Sequence, residues 1–490
     1  MNQRAGVPSV FNPRKTAFKK RMIMLQNKIN AQRLTVCFLF AVFCFLASVL
    51  PLSAQRINLP PVTRETEDNG IRFILAEYKR APTLTLIAIF PGGATADAPG
   101  KTGTAELAAS LMTRGTTSRT APQIAEETDF LGATLDAAAG VERLTVSFGG
   151  LVKDTDAGLD LFADVIRRAT LPAEELAREK QLEIAALQAL GDEPEAMAAR
   201  VTNEIVYAGH PYGRDATMTS IGAIQRDDLR AYYRNVVAPD KMILVAVGDF
   251  NSEQMLMKLR AKFSDWKKSN VTLPVAPPVP AGKPQIVLVD KPDATQTQVH
   301  FARTAIARNS PDYFAAELAS GILGGGFTSR LVDEVRVNKS LTYGISSHFG
   351  TEAQGGDFIV STFTKIETTK LLLDATRAVL KKTANEGFTA QELTKINGYL
   401  AGQFAIGLQT PQALAGQLAN MAIYNLPSDY LQTYLAKLQA VLLADVNRVA
   451  KTYFAPDALS LILVAPGAKV KSQLSEFKNI ETRPADSIAK

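Results

Sequence analysis

Apolar residues follow two different periods along this chain, and together they predict strands and helices. Strict alternation predicts strands at 84–90, 144–148 and 358–363, and continuous apolar runs at 242–250 and 459–467 predict fully buried strands. Amphipathic periodicity predicts helices at 105–114, 156–168, 173–190, 194–207, 226–235, 316–323, 390–407, 411–424 and 443–453. Runs of strands followed by runs of helices favour an α+β fold, with mostly antiparallel sheets and helices packed on one face.

The chain contains an internal repeat. Residues 172–207 align without a gap to residues 389–424 at an offset of 217. Upstream, residues 105–119 match residues 316–330 at an offset of 211. Two matches in the same order predict two homologous halves.

A proline-rich segment separates these halves. The sequence LPVAPPVPAGKP at 273–284 holds five prolines, which favour an extended and semi-rigid backbone. The predicted organisation is a leader at 1–54, an N-terminal half at 55–270, a linker at 271–284, a C-terminal half at 285–472 and a tail at 473–490.

The positive charge of the chain belongs to its leader. The 490 residues carry 54 Lys and Arg against 48 Asp and Glu, but residues 1–54 hold eight basic and no acidic residues. The remainder has 46 basic against 48 acidic residues, a net charge of −2, so we expect no nucleic-acid partner.

The leader has the pattern of an export signal. A basic stretch ending at Arg33 precedes a mostly apolar run at 34–50 and then small residues. We expect a periplasmic or cell-envelope protein, with an uncleaved membrane anchor as the alternative, because the run approaches the ~20 residues that span a bilayer. Cys37 and Cys44 both lie in this run, so the processed chain would have no disulfide and no thiol ligand or nucleophile.

Three segments carry a family resemblance. They are GTAELAASLMTRGT at 103–116, the segment from HPYG to VGDF at 210–250, and LGGGFTSRLVDEVRVNKSLTYGISS at 323–347. They resemble the pitrilysin/insulinase family of metallopeptidases, which includes the mitochondrial processing peptidase. The resemblance covers roughly residues 58–470, and it implies two homologous α+β halves that form half of a clam-like chamber.

The resemblance also implies a zinc site that this chain does not retain. In the family an H-x-x-E-H helix supplies two His ligands and a general base, and a later Glu completes the ligand set. The matching positions here are Glu106 and Ser110 for the two His, Ala109 for the general base, and Ala185 and Ala186 for the later acidic pair. We therefore expect no metal in this chain.

The histidine count supports this expectation. The chain has only His210, His300 and His348, and no two have the spacing of a local metal site. The pattern predicts that His210 is a packing residue, that His300 is exposed on a strand, and that His348 is structural, following a strand near the cleft.

The second half keeps a pair that the family uses to handle substrate. By resemblance these are Arg336 and Tyr343, seven residues apart at the start of a strand. A guanidinium and a phenol are suitable donors to a carbonyl oxygen on which negative charge develops. The alternative is an ordinary surface arginine and core tyrosine.

The triplet Gly324, Gly325 and Gly326 precedes this pair. It lacks the Gly-Lys-Ser/Thr of a P-loop and the context of a dinucleotide fingerprint. It is either a helix C-terminus followed by a flexible turn or, by resemblance, a segment of the substrate cleft.

These features predict an exported, non-catalytic, substrate-binding subunit of a heterodimeric zinc metallopeptidase. Some bacterial members of the family resemble a split enzyme, and this chain has the pattern of the subunit without zinc. Zinc is then expected in a homologous partner subunit, with peptides as substrates and membrane contact only through an uncleaved leader. One alternative is a homodimeric, catalytically inert scaffold that binds peptides or stabilises an envelope assembly. Another is a metallopeptidase with relocated ligands.

Overall fold

Residues 59–488 are described by the structure, a computed structural model, and they contain two six-stranded sheets surrounded by helices. The predicted leader at 1–54 lies outside the described residues. Within 59–488, no helix has both the length and the apolar character needed to cross a membrane.

The first sheet has the strand order β1-β2-β6-β3-β5-β4, and only β2 and β6 pair in parallel. Its strands are β1 (Val62–Thr66), β2 (Arg72–Glu77), β3 (Thr83–Pro91), β4 (Thr134–Ala139), β5 (Arg143–Leu151) and β6 (Ile243–Gly248).

The second sheet has the order β12-β7-β11-β8-β10-β9, with β7 parallel to both β11 and β12. Its strands are β7 (Ile286–Asp290), β8 (Gln296–Thr304), β9 (Ile345–Gly350), β10 (Asp357–Lys365), β11 (Ser460–Ala465) and β12 (Ile480–Pro484). The predicted α+β class with mostly antiparallel pairing is confirmed.

The structure contains all nine of the predicted helices and further helices that the periodicity did not predict. In the first half they are α1 (Thr104–Met112), α2 (Ala121–Phe130), α3 (Thr155–Arg168), α4 (Ala173–Ala189), α5 (Pro194–Val206), α6 (Met218–Ala223), α7 (Arg226–Val236) and α8 (Ser252–Phe263). In the second half they are α9 (Tyr313–Gly324), α10 (Thr369–Glu386), α11 (Ala390–Ile406), α12 (Pro411–Ile423), α13 (Tyr430–Gln439), α14 (Leu443–Tyr453) and α15 (Gly467–Val470), with a π-helix at Val332–Asn338 after α9.

The internal repeat is present in the fold. The pairs α4 and α11, α5 and α12, and β6 and β11 each begin 217 residues apart. Each half has its own core, in which one face of the sheet packs against helices. The alternating residues Leu84, Leu86, Ala88 and Phe90 of β3 are all fully buried there, as their period predicts.

One helix of each half also packs on the sheet of the other half. Helix α5 of the first half packs on β8 and β11 of the second sheet, burying Met197, Val201 and Ile205 against strand residues such as Ile462. Its repeat counterpart α12 packs on β3 and β6 of the first sheet. The helices therefore cover both faces of each sheet, rather than the single face that the sequence predicted.

The sequence analysis also missed some elements and one boundary. Helices α2, α6, α8, α10, α13 and α15 were not predicted; α2, for example, has a capping box at Thr120 but only one buried residue, Ile124, so its apolar period is weak. The residues set apart as a tail, 473–490, include β12, which pairs with β7 and belongs to the second sheet. The proline-rich linker has no helix or strand, as predicted.

Candidate functional site

Helix α1 is the element that carries the degenerate zinc motif. Its start is fixed by Asp97, whose two carboxylate oxygens accept hydrogen bonds from the amides of Gly103 and Ala105, both at 2.8 Å. Burial raises the pKa of Asp97 to about 6 in spite of these amides. Ala109, at the position of the general base, is buried in the core of the first half.

Serine, arginine and carboxylate side chains lie between α1 and α4, where the family would have its metal ligands. Ser110 Oγ donates to Glu179 Oε2 at 2.9 Å, and Arg114 pairs with the same carboxylate at 3.2 Å. Glu106 lies at the accessible rim, where partial burial and then the charge of Glu183 raise its pKa.

These residues do not fit zinc. Within residues 59–488 no cluster of three or more His, Cys, Asp or Glu side chains could hold a metal ion. Ser110, in the place of a His ligand, is already hydrogen-bonded to a carboxylate that is itself paired with an arginine. Ala185 and Ala186 lie on the exposed side of α4, and the carboxylates that approach α1 are Glu179 and Glu183, which the sequence alignment missed.

The equivalent positions of the second half hold apolar residues in close contact. Gly321 and Ile396 occupy the positions that correspond to Ser110 and Glu179 at the offsets of 211 and 217. A Cβ atom on Gly321 would lie 2.7 Å from the Ile396 side chain. The polar remnant of a catalytic site is therefore confined to the first half.

Arg336 and Tyr343 lie on the segment that connects α9 to β9. Arg336 is half-buried on the π-helix, and its guanidinium lies 5.2 Å from the centre of the Phe327 ring. Among the described residues it has no carboxylate partner. Tyr343 is 80% exposed just before β9, with no hydrogen-bond partner for its hydroxyl in the described part of the chain.

The three glycines before this segment have different surroundings. Gly324 is buried at the end of α9, where a Cβ atom would lie 2.5 Å from the amide nitrogen of Ser347 on β9. Gly325 and Gly326 are exposed and, with Phe327 and Tyr399, line a cavity of about 300 Å³ against α11. Close packing therefore requires the first glycine, and nothing within 4 Å restricts a side chain at the third.

Arg330 ties the glycine-rich segment to α11. It makes a two-point ion pair with Glu392, at 2.6 and 2.8 Å, and donates to Thr383 Oγ1 at 3.2 Å. Its charge, together with bonds from Thr389, lowers the pKa of Glu392 to about 2 against the opposing effect of burial. The sequence analysis missed this residue, although Ser-Arg recurs in both halves at 118–119 and 329–330.

The histidines have no catalytic arrangement. His210 is buried and accepts a hydrogen bond from the Tyr212 amide at 3.2 Å, as a packing residue would. The prediction for His300 was wrong: it is buried, with Nδ1 at 2.9 Å from Thr202 Oγ1, because α5 of the other half covers this face of β8. His348 is exposed on β9.

Each sheet has two edge strands, β1 and β4 in the first sheet and β12 and β9 in the second. Strand β9 begins two residues after Tyr343. An unpaired edge offers backbone donors and acceptors to an extended peptide.

The fold and the degenerate helix define a peptidase-like protein that lacks its metal site, and comparison with known families agrees. The model described as Insulinase (Peptidase family M16) matches residues 72–220, and the model described as Peptidase M16 inactive domain matches residues 223–397. The chain belongs to the pitrilysin/insulinase (M16) family and is a zinc-less homologue within it.

Curated relatives carry two kinds of name. The chain is 25% identical over 395 residues to an uncharacterized zinc protease of Mycobacterium tuberculosis, covering 79% of this chain and 90% of that protein. It is 24% identical over 425 residues to the non-peptidase homolog YmxG of Helicobacter pylori, covering 86% and 95%.

Solved structures share the fold. A peptidase M16 inactive domain from Pseudomonas fluorescens superposes with a TM-score of 0.78 at 26% identity, covering 83% of this chain and 98% of that one. A Helicobacter pylori protease superposes with a TM-score of 0.76 at 21% identity, covering 83% and 100%, which shows the fold alone.

Proposed function

We propose that this chain is an exported, non-catalytic subunit that binds substrate and completes the active site of a zinc-bearing metallopeptidase partner. The observation that carries the proposal is an asymmetry between the halves. Ser110, at a zinc-ligand position of the first half, lies in a cluster with Glu179 and Arg114. The second half presents Arg336 and Tyr343 without hydrogen-bond or ion-pair partners in the described residues.

The state of Arg336 supports this role. A half-buried guanidinium is normally paired, because partial loss of hydration must be offset by an acceptor. Among the described residues its guanidinium has a cation–π contact with the Phe327 ring and no hydrogen bond or ion pair, so its N–H donors are available. Those donors suit the carbonyl oxygen of a peptide held in the partner's active site.

The exposure of Tyr343 supports the same role. A phenol that is 80% exposed contributes little to the core of this chain. Its position two residues before the edge strand β9 would place the hydroxyl next to a peptide that adds to the free edge of that strand. The partner would supply zinc and the general base, and this chain would orient the substrate.

The test is peptide cleavage by the reconstituted pair, with each chain alone for comparison. The partner is obtained by co-purification, with a homologue that keeps H-x-x-E-H as the expected candidate. Arg336→Ala and Tyr343→Phe should each reduce kcat by about 10²–10³-fold without loss of assembly, as removal of one donor to a developing oxyanion typically does. Arg234→Ala, at an exposed arginine of α7, is the matched control and should have no effect. Unchanged activity of both variants in an intact complex would refute the proposal.

The second candidate is an inert, homodimeric scaffold that binds peptides or stabilises an envelope assembly. The non-peptidase name of the Helicobacter pylori relative favours it. It predicts peptide binding or self-association with no gain in hydrolysis from any co-purified partner. A metallopeptidase with relocated ligands requires stoichiometric zinc in the purified chain and chelator-sensitive cleavage, and metal analysis distinguishes it from both other functions.

A further inference from the structure

A cavity lies between the end of α9, the glycine-rich segment and α11. Its volume is about 300 Å³ and its walls are mostly apolar, with Ile322 and Ile396 buried and the Phe327 ring on the exposed side. An apolar cavity of about 150 Å³ already holds a benzene ring, and ligand sites for larger molecules begin near roughly 300 Å³. This cavity therefore has room for one large side chain together with a few polar atoms.

Small residues of the internal repeat leave room for this cavity. The polar cluster of the first half, Ser110, Arg114 and Glu179, has the counterparts Gly321, Gly325 and Ile396 at the offsets of 211 and 217. In the first half the serine and the arginine both contact the Glu179 carboxylate between α1 and α4. In the second half two of the three positions have no side chain, and both of those glycines line the cavity.

Ser329 is the buried polar residue of the lining. It is 3% exposed, and its hydroxyl has no hydrogen-bond partner among residues 59–488. Its repeat counterpart, Ser118, donates to Asp164 Oδ2 at 2.8 Å. A buried hydroxyl without a hydrogen bond costs free energy, so a polar atom at the tip of a bound group would gain by bonding to Ser329.

The charged groups of the lining favour an anion. Lys395 is exposed, and its ammonium group has no ion-pair or hydrogen-bond partner in the described part of the chain. The carboxylate of the lining, Glu392, is already held by Arg330 in a two-point ion pair, at 2.6 and 2.8 Å. A ligand with a free carboxylate therefore complements this site better than a cation does.

We propose that this cavity binds the carboxy-terminal residue of a peptide and prefers tyrosine there. The ring packs against the apolar walls, the phenol hydroxyl bonds to Ser329, and the carboxylate pairs with Lys395. Phe327 lines the cavity and also contacts the Arg336 guanidinium, so the end of the peptide lies next to that arginine. The inference rests on the peptide-binding part of the proposed function, but it needs no partner subunit.

Binding of three tripeptides to the purified chain tests each contact. Ala-Ala-Tyr should bind about 3–10-fold more tightly than Ala-Ala-Phe, because only the phenol can bond to Ser329. It should bind about 2–5-fold more tightly than Ala-Ala-Tyr amide, because the amide lacks the charge that pairs with exposed Lys395. Ligand-observed NMR titrations give the three dissociation constants.

Two variants and a control assign the contacts. Ser329→Ala should remove the preference for tyrosine over phenylalanine, and Lys395→Gln should remove the preference for the acid over the amide. Lys451→Gln, at an exposed lysine of α14, is the matched control and should keep both preferences. The proposal is overturned if the wild type does not bind Ala-Ala-Tyr, or if either preference survives in the variant that should remove it. Cleavage by the reconstituted pair is measured separately, so an inactive Arg336 effect there would refute the proposed function without changing these binding constants.

Urea denaturation checks that the Ser329 hydroxyl is unpaired within the chain. Ser118→Ala breaks the hydrogen bond to Asp164 and should lower the urea midpoint. Ser329→Ala loses no hydrogen bond and should leave the midpoint unchanged or slightly higher. An equal fall in both variants would show that Ser329 already has a partner, and it would also overturn the proposal.

Discussion

Gly324→Ala tests whether close packing requires the first glycine of the glycine-rich segment, because the three glycines have different surroundings. In Gly324→Ala the new Cβ atom would lie 2.5 Å from the Ser347 amide nitrogen and 2.6 Å from its Oγ. Ordinary contact begins near 3.4 Å, so α9 and β9 must separate by about 1 Å. The neighbouring atom is backbone and cannot rotate away.

The expected magnitude follows from two opposing effects. Overpacking of this kind costs about 1–3 kcal/mol, whereas alanine at the end of a helix gains up to about 1 kcal/mol over glycine. The net loss should be about 1–2 kcal/mol in the free energy of unfolding. With a slope of about 2–3 kcal/mol per M urea, the midpoint should fall by roughly 0.5 M.

Gly326→Ala is the matched control, because no atom lies within 4 Å of its Cβ position. It should change the free energy of unfolding by less than about 0.5 kcal/mol. Urea titrations followed by circular dichroism, run on both variants and the wild type, give the comparison. The packing argument fails if Gly324→Ala is as stable as the wild type or if Gly326→Ala loses as much.

Three further predictions concern the packing of α5 on the second sheet and the cooperation between the two halves. His300 is buried there and its pKa is lowered to about 4, so the stability it contributes is present above the unfolded value of 6.5 and is lost as pH falls towards 4. The wild type should lose about 3 kcal/mol more than His300→Asn between pH 7 and pH 4, and an identical pH dependence in both would contradict this. Val201→Ala removes two buried methyl groups between α5 and the second sheet and should cost about 2 kcal/mol. One helix of each half packs on the sheet of the other half. Fluorescence of Trp266 in the first half and circular dichroism of the whole chain should therefore show the same unfolding transition. Separate transitions would show that the halves unfold independently.

Much of the fold could be predicted from sequence because its evidence is local. The offset of 217 residues predicted pairs of helices and strands that the structure places in equivalent positions, and alternating residues such as Leu84 and Leu86 do face a core. The loss of the zinc ligands could also be predicted from the sequence, because Ala109 and Ser110 cannot replace a general base and a His ligand.

The residues around the candidate site were harder to predict because they depend on contacts between distant segments. Glu179 and Glu183 could not be assigned to α1 by spacing alone, and Arg330 gains its importance from Glu392, 62 residues further on. The hydrogen bond from the Ala353 amide to Glu142 joins two hairpin turns, which have no periodicity that would predict their contact.

The sequence by itself determined the family, the duplication, the absence of the zinc ligands and the residues Arg336 and Tyr343 as candidates. Only the tertiary structure decided which surfaces are covered. His300 shows the reason. Alternation along a strand predicts which residues face the core of the same half, but it does not predict that a helix of the other half covers the opposite face. Burial of the second face, and with it the lowered pKa of His300 and the hydrogen bond from the Ala353 amide to Glu142, depends on how the two halves pack together.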